Sequence, residues 1–597
     1  MDDDGGADYT RIQDAIDISI NGDTIYVYKG VYRENLNINK AIKIIGEDKD
    51  NTMINGGKKG NVVRITKDSV TISNFTIQNS GNRDYPLGDC GIKLHSNYNE
   101  IYENNINNNG KGIFLKSSSN NAIYNNRITF NTYIAFEIED SSNNLIYENQ
   151  IIENDNEGMF IDSTPLGSNS NNIIIKNNIS NNRDDGILMR DSSDCIINHN
   201  ILSNNGHNGL DLQYSSNNTM NFNNLTNNNR FGIKIIDSPN NSIKNNNIFD
   251  NLQGIGLSYS SNIIIIDNNF SSNGIKIIGN QPNLWDTHTI ENNWADDKLI
   301  RYYKNSDNII VPVEKTAQII LAKCTNYTMQ YQNLSDIVDA IQLGYSNKNN
   351  VSNNLIYCHN GINLQISNNN IIDKNRIISN STGINLDESS YNIISNNNII
   401  NSGAGKGIKL YESYKNTLTS NSISKCNEGI DLDYSSNNTI DDNTIKNNKY
   451  EGLWLSSYSA NNTITNNNIS NNLCGIRVWA EFNNISNNII TENIDGICID
   501  FSKSSILKSN EIKRNKKYGL YLEDTSSTKI SYNNFIFNRR NAYFKNCENN
   551  TWDYNFWNRP RFFPYIIFGK YNSRLDFEID WHPAIEPYDI SIPEVEM

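Results

Sequence analysis

Acids, cations and aromatic rings recur in this chain two and four places after a regularly spaced small residue, usually glycine. In the C-terminal half they are Lys409 and Tyr411, Asp431 and Asp433, Trp454, Arg477 and Trp479, Asp500, then Tyr521 and Glu523. In the N-terminal half they are Lys93 and His95, Phe114 and Lys116, Glu137 and Glu139, Phe160 and Asp162, Leu188 and Arg190, then Asp211 and Gln213. Rings stack on sugar faces, and carboxylates beside a guanidinium bind hydroxyls or acidic sugars. Paired carboxylates can also do acid–base work on a glycosidic bond. The C-terminal set, centred on Trp454 and Trp479, is therefore the first candidate for ligand binding, with Arg477 favouring acidic sugars. Glu137, Glu139, Asp162, Arg190 and Asp211 make a second candidate face. Any solvated sheet must be polar, but that need does not account for two exposed indoles on neighbouring turns.

Other chemistries find fewer residues. The six histidines (His95, His199, His207, His288, His359, His582) are scattered, with no two at metal-ligand spacing on one strand, and no soft Met–Cys cluster stands out. The expectation is no metal and no cofactor. Eight cysteines are present but no Cys-x-x-Cys. Cys474 and Cys498 fall on neighbouring turns in different columns, no pair is convincing as a disulfide, and most of the eight read as small buried residues. A net charge of −15 argues against nucleic acid or an anionic membrane as partner, because both require clustered Lys and Arg. No run of apolar residues is long enough to span a bilayer. The chain opens MDDDGGADYT, without the basic start and apolar run of a signal peptide, which suits either an unexported protein or one trimmed of its leader.

A repeat must position these side chains. Its clearest copy is GIDLDYSSNNTIDDNTIKNN, residues 429–448. Ile430 and Leu432 point one way and Asp431 and Asp433 the other, the alternation of a half-buried strand. Asn438, Asn443 and Asn448 follow at intervals of five, so three short strands and three corners fit a repeat of about twenty-two residues. The frame recurs from Gly91 to Gly254 and from Gly361 to Gly519, with Ala135 filling one step, and residues one and three places later are apolar throughout. Asparagine columns run through Asn121, Asn144, Asn218, Asn241, Asn392, Asn416, Asn438 and Asn484 at one corner, and through Asn126, Asn149, Asn200, Asn223, Asn246, Asn397, Asn421, Asn443, Asn510 and Asn533 at the next. Stacked amides donate and accept along such a column, and Asn tolerates left-handed backbone at bends. One turn cannot bury its own apolar face, so the turns must stack. The fold class expected is all-β: a right-handed parallel β-helix, a solenoid of about twenty turns, with a short N-terminal capping helix.

Five segments are expected: an N-terminal cap and first coils (1–80), regular repeats (81–275), irregular coils with a protruding loop (276–345) or, as the alternative, a hinge between two solenoids, regular repeats (346–550) and a C-terminal cap (551–597). Residues 10–20 read as the capping helix, with Thr10 and Gln13 as a capping box and Ile12, Ala15 and Ile16 on its buried face. Strands are expected at 24–28, 36–38, 42–45, 62–65 and 70–77. Lys545 stands where an inward apolar residue should be, which marks the end of the core.

The run IQDAIDISINGDTIYVYKGVYRENLNINKAIKIIGEDKDNTMINGG resembles the opening of NosD-type and pectin-esterase-like β-helix proteins, and the later repeats are similar to the NosD type, also described as carbohydrate-binding and sugar-hydrolase repeats. The segment at 275–345 resembles one that recurs in archaeal surface proteins of that type. The resemblance implies an extracytoplasmic or cell-surface protein that binds carbohydrate or builds surface structure, with polysaccharide or cell-envelope components as partners. Two alternatives come with it: a polysaccharide lyase, hydrolase or epimerase using the outward acids, and a factor that matures copper centres. Copper or calcium enters by that resemblance only. Neither a G-H-G motif nor an R-x-K beside paired acids is present to support the enzyme, and Asp184–Asp185 alone is a common dipeptide.

Overall fold

The computed structural model describes residues 1–590 except residues 4, 82–87, 165, 166, 168 and 404. The chain forms two compact units, Met1–Asp297 and Lys298–Met597. In each, short strands return to the same place once per turn and pair in parallel with the turns before and after. In the first unit Thr24–Val27 begins a twelve-stranded sheet that ends with Thr289–Glu291, and Leu36–Ile38 begins an eleven-stranded sheet that ends with Ile275–Ile278. A third sheet runs from Gly30–Tyr32 to Trp294–Ala295. The second unit has an eleven-stranded sheet from Asn333–Ser335 to Phe556–Trp557, and two more that start at Lys298–Lys304 and Thr328–Gln330. Each unit is thus a parallel β-helix.

The period-two pattern sets the register. Ile430 pairs with Leu453 and Leu432 with Leu455, and these in turn meet Ile476 and Val478, all of them buried. Like side chains therefore stack on like, and the core is a set of aliphatic columns whose burial drives the stacking.

Asparagine closes the corners. The backbone N–H and the side-chain amide of Asn443 both donate to Oδ1 of Asn467, at 2.9 and 3.0 Å, and the same amide reaches the carbonyls of Leu418 and Asp441 at 2.9 Å. Carbonyls that a bend would leave unpaired are satisfied in this way. The first ladder passes through Asn483 rather than Asn484: the N–H of Asn462 donates to Asn483 Oδ1 at 2.9 Å, while Asn484 opens a strand. That turn is only 21 residues long where the one before it has 24, so a fixed count slips by one. The left-handed backbone falls on the residue before each ladder position, as at Asn437, Asp442 and Asn447 (φ 60°, 54° and 58°).

The ends differ from the sequence reading in detail. Helix α1 spans Ile12–Ile18 and buries Ile12, Ala15 and Ile16. Its cap is not the Thr10–Gln13 box: the Glu34 carboxylate accepts the N–H groups of Ile12 and Gln13 at 2.8 and 3.0 Å. A tertiary carboxylate at the positive end of the helix replaces the local one. The strand expected at 70–77 is two, Thr71–Ser73 and Thr76–Gln78, broken at Asn74 with φ 62°. The irregular segment holds helix α2, Asn283–Asp286, whose Trp285 is fully buried and donates to the Gly279 carbonyl at 3.0 Å. Lys545 does not end the core: Phe544 is the inward residue there, and Lys545 faces out to pair with Glu523. The close comes later, where Tyr565–Tyr571 and Arg574–Asp580 form an antiparallel hairpin and Asp580 accepts the indole N–H of Trp557 at 3.0 Å. Among the described residues no helix is long and apolar enough to cross a membrane.

Candidate functional site

Each turn bends at its marker residue. A Cβ on Gly429 would lie 2.4 Å from the Gly452 carbonyl oxygen and 2.5 Å from Ile445 Cγ2, so the absence of a side chain lets adjacent turns close up there. The bend breaks the alternation. The residue before the marker no longer points inward; it meets, across one turn, the residue two places after the next marker. Lys111 pairs with Glu137, Lys406 with Asp431, and Glu451 with Arg477 at 3.1 Å. The same diagonal sets Tyr518 against Tyr543 with ring centroids 5.5 Å apart, and places Cys474, whose thiol donates to the Ile476 carbonyl at 3.3 Å, beside Cys498 on the next turn.

This geometry corrects the expected solvated column. Phe114, Glu137, Phe160, Leu188, Asp211 and Asp431 are all buried although they lie outside the aliphatic core. The residues missed, above all Lys111, Asp185, Lys406, Glu451, Cys474 and Tyr518, all immediately precede a marker. A recurring charge in front of the glycine was the signal available, and counting strictly by twos hid it.

In the second unit the first candidate set is brought to one corner, but most of it is already paired. Asp431 is held by Lys406 and its carboxyl is pushed up by burial, against the pull of that lysine. Asp433 accepts the Ser456 hydroxyl, and Lys409 lies 5.8 Å from the Tyr411 ring. Arg477 is engaged by Glu451, so it is not the free cation that would select acidic sugars. Trp454 and Trp479 do not form a flat platform: their centroids are 5.9 Å apart but the rings stand at 80°. Trp454 is half-buried with Lys406 over its face at 5.9 Å, while Trp479 is 38% exposed and donates to Asp500 at 2.9 Å. Burial raises Asp500.

The open part of this corner lies further along. Tyr518, Tyr521 and Tyr543 stand 5.3–5.9 Å apart, and with Lys517, Lys545 and Lys570 they line a cleft of about 510 Å³. The Tyr521 hydroxyl donates to Glu523 at 2.8 Å; burial first, then this bond, raises the phenol. Lys545 lowers Glu523.

In the first unit the second candidate face divides. Glu137 belongs to the Lys111 pair, and Glu139 to Lys116 at 2.6 Å. Asp162, raised by burial, and Arg190, which donates to Gln213 at 3.2 Å and lies 5.4 Å from the Phe160 ring, sit beside a small apolar cluster of Ile134, Phe160 and Leu188. Asp211 joins Asp184, Asp185, His207 and Asn208, which sequence reasoning did not select.

These features define a right-handed parallel β-helix, and the comparisons agree with it. A right handed beta helix region model matches residues 61–182 and 166–314, and the periplasmic copper-binding protein (NosD) model matches residues 296–451 and 424–571. The chain is a β-helix repeat protein of the NosD type. No curated protein matches it by sequence. Among solved structures, the A-module of the Azotobacter vinelandii mannuronan C-5 epimerase AlgE4 is similar at 19% identity over 48% of this chain and 90% of its own, with a TM-score of 0.36. Pectate lyase Pel9A is similar at 14% identity over 47% of this chain and 79% of its own, with a TM-score of 0.31. At these values neither speaks to the chemistry of the corner.

Proposed function

We propose that this chain is an extracytoplasmic β-helix protein that binds polysaccharide along the outward corner of its second unit. The observation that carries the reading is the cleft of Tyr518, Tyr521 and Tyr543 with its lysines. Rings along this corner offer faces to successive sugars, while Lys545, Asn546 and Lys570 offer polar partners to their hydroxyls. Trp479 is the near neighbour of this cleft and extends it toward the turns first selected from sequence. The periplasmic description of the matching family supports an extracytoplasmic location. A panel of neutral and acidic polysaccharides in affinity electrophoresis tests the reading. Retardation by at least one glycan is expected, weakened tenfold or more by Tyr521→Ala with Trp479→Ala and accompanied by an unchanged fold. Retardation by none would leave a purely structural role, and full binding by the double variant would displace the site.

One observation favours a second reading. Cys474 and Cys498 share one diagonal beside Arg477, and they lie in the span matched by the copper-binding family. Two thiolates suit a soft monovalent cation such as copper(I), although the neighbouring Cys474 and burial push the Cys498 thiol well above its ordinary range, so binding must displace protons. One equivalent of copper(I) held against a competing chelator by the parent and lost in Cys474→Ser is the outcome of that reading. No retained copper removes it.

A further inference from the structure

The hairpin that closes the second unit has two unlike faces. Residues directly opposite in an antiparallel pair share a face, so Ile567 with Glu578 and Tyr565 with Asp580 lie on one, and Ile566 with Ile579 and Phe568 with Phe577 on the other. The first face covers the end of the core. Ile567 is buried, Glu578 and Asp580 accept the indole N–H groups of Trp552 and Trp557, and Tyr565 stacks on Trp557 with centroids 4.2 Å apart. The second face is the outer surface of the cap. A solvated hairpin would carry polar side chains there, yet Ile566, Phe568, Leu575 and Phe577 are 47–78% exposed. Phe562 and Phe563, in the loop that leads into the hairpin, are 78% and 81% exposed. The charge is as one-sided: residues 559–575 contain Arg559, Arg561, Lys570 and Arg574 and no acid, in a chain of net charge −15. An exposed patch of aromatic and aliphatic side chains rimmed by cations marks a surface that docks.

The first unit presents the complement. Where helix α1 meets the strand Thr24–Val27, a hollow of about 580 Å³ is walled by Ile18, Tyr26 and Tyr28, with Asp8 and Asp23 beside them and no lysine or arginine in its lining. The alternation that buries Ile25 and Val27 turns Tyr26 and Tyr28 outward, and their rings meet edge to face at 5.3 Å. Ile18 stands 66% exposed at the end of the helix. Asp23 accepts the Ile20 N–H at 2.8 Å, which fixes its carboxylate at the rim. An apolar wall with an acidic rim on one cap thus answers apolar side chains with a basic rim on the other.

We propose that the closing hairpin of one copy of this chain docks in the hollow on the first unit of another, with Phe562 and Phe563 as the inserted rings and Arg559 and Arg561 facing Asp8 and Asp23. A second copy is the occupant that fits, because both halves of the contact, apolar surface and opposite charge, are present in the chain itself. Two hairpin faces meeting each other would set arginine against arginine, which disfavours a symmetric pair through that face. The two surfaces differ, so the contact is heterologous. Each assembled pair keeps one free hairpin and one free hollow, and assembly continues past the dimer. Apart from Lys570, none of these residues lines the tyrosine cleft, so this contact and the glycan reading can fail separately.

Sedimentation velocity of the full chain, from about 1 to about 100 µM at roughly 0.15 M salt, is the test. Species that grow past the dimer with concentration are expected. Phe562→Ser with Phe563→Ser disables the hairpin, and Ile18→Lys blocks the hollow. Each of these variants alone should stay monomeric, with the parent's circular dichroism and melting temperature, because the side chains changed are exposed. Mixed in equal amounts, the two should form a heterodimer and nothing larger, since the first keeps a hollow and the second a hairpin. Arg559→Glu should weaken assembly by about tenfold or more, and it decides the matter if either of the others misfolds. A parent that stays monomeric throughout the range would overturn the proposal, as would folded variants that fail to pair when mixed. An assembly that stops at the dimer and survives Ile18→Lys would make the contact symmetric, and a monomeric parent carried down by vesicles of anionic phospholipid through Phe562 and Phe563 would give the patch to a membrane; either result also overturns it.

Discussion

Asp185 and Glu523 are both carboxylates on an outward corner, and their neighbours send them in opposite directions: burial raises the first to about 7, while Lys545 lowers the second. Because the folded value for Asp185 lies above the ordinary aspartate value, the folded state holds that proton more tightly than the unfolded chain does. Its contribution favours folding below about pH 4 and is lost as pH rises through about 7. Asp185→Asn keeps the acceptor for Asn208 and removes the titration. The variant should match the parent in melting temperature at pH 4 and exceed it at pH 8, by an amount of the order of a few kcal/mol in stability. Equal melting at pH 8 would contradict the burial of that charge. The inward columns make a simpler claim: Leu432→Asp should cost several kcal/mol, and Asp433→Leu under about 1. Comparable loss in urea unfolding would mean inside and outside are exchanged. These columns were legible because Ile430 and Leu432 obey strict alternation. Lys406, Glu451 and Cys474 were not, because the bend at glycine interrupts the count.

At the scale of strands and corners, what distinguishes this chain from an asparagine-rich polymer is phase. Asn443 lies in a ladder with bonds to Asn421 and Asn467, and Asn484 stands on a strand beside the ladder residue Asn483. Asn443→Ala breaks the amide column and strands buried carbonyls, so a loss of about 2–3 kcal/mol is expected, against less than about 0.5 for Asn484→Ala. Thermal unfolding of the two variants checks it; equal effects would mean the ladders add nothing beyond composition. The capping helix could be located from its apolar face, but not its cap, because Glu34 is more than twenty residues away in sequence. Glu34→Ala should accordingly fray α1, visible as faster amide exchange at Ile12 and Gln13, while Thr10→Ala leaves it intact.

For the chain as a whole, the fold was legible because every turn repeats the same sentence of apolar and asparagine positions, and a stack is the arrangement that buries the first and pairs the second. The candidate surface was legible only as a region. Sequence placed Trp479, Asp500, Tyr521 and Glu523 on one corner, but it could not show that Arg477 is taken by Glu451 or that Trp454 turns edge-on to Trp479. Side-chain pairing across a turn depends on the bend, which no count along the chain reveals. The central functional claim is that a glycan lies in the tyrosine cleft of the second unit. Hydroxyl-radical footprinting of the full chain with and without a retained polysaccharide tests it most directly. Protection of Trp479, Tyr518, Tyr521 and Tyr543 is expected, with the stacked pair Tyr532 and Tyr554, 5.3 Å apart on another corner, reacting as in the free protein. Protection of Tyr532 and Tyr554 with the cleft tyrosines unchanged would contradict it.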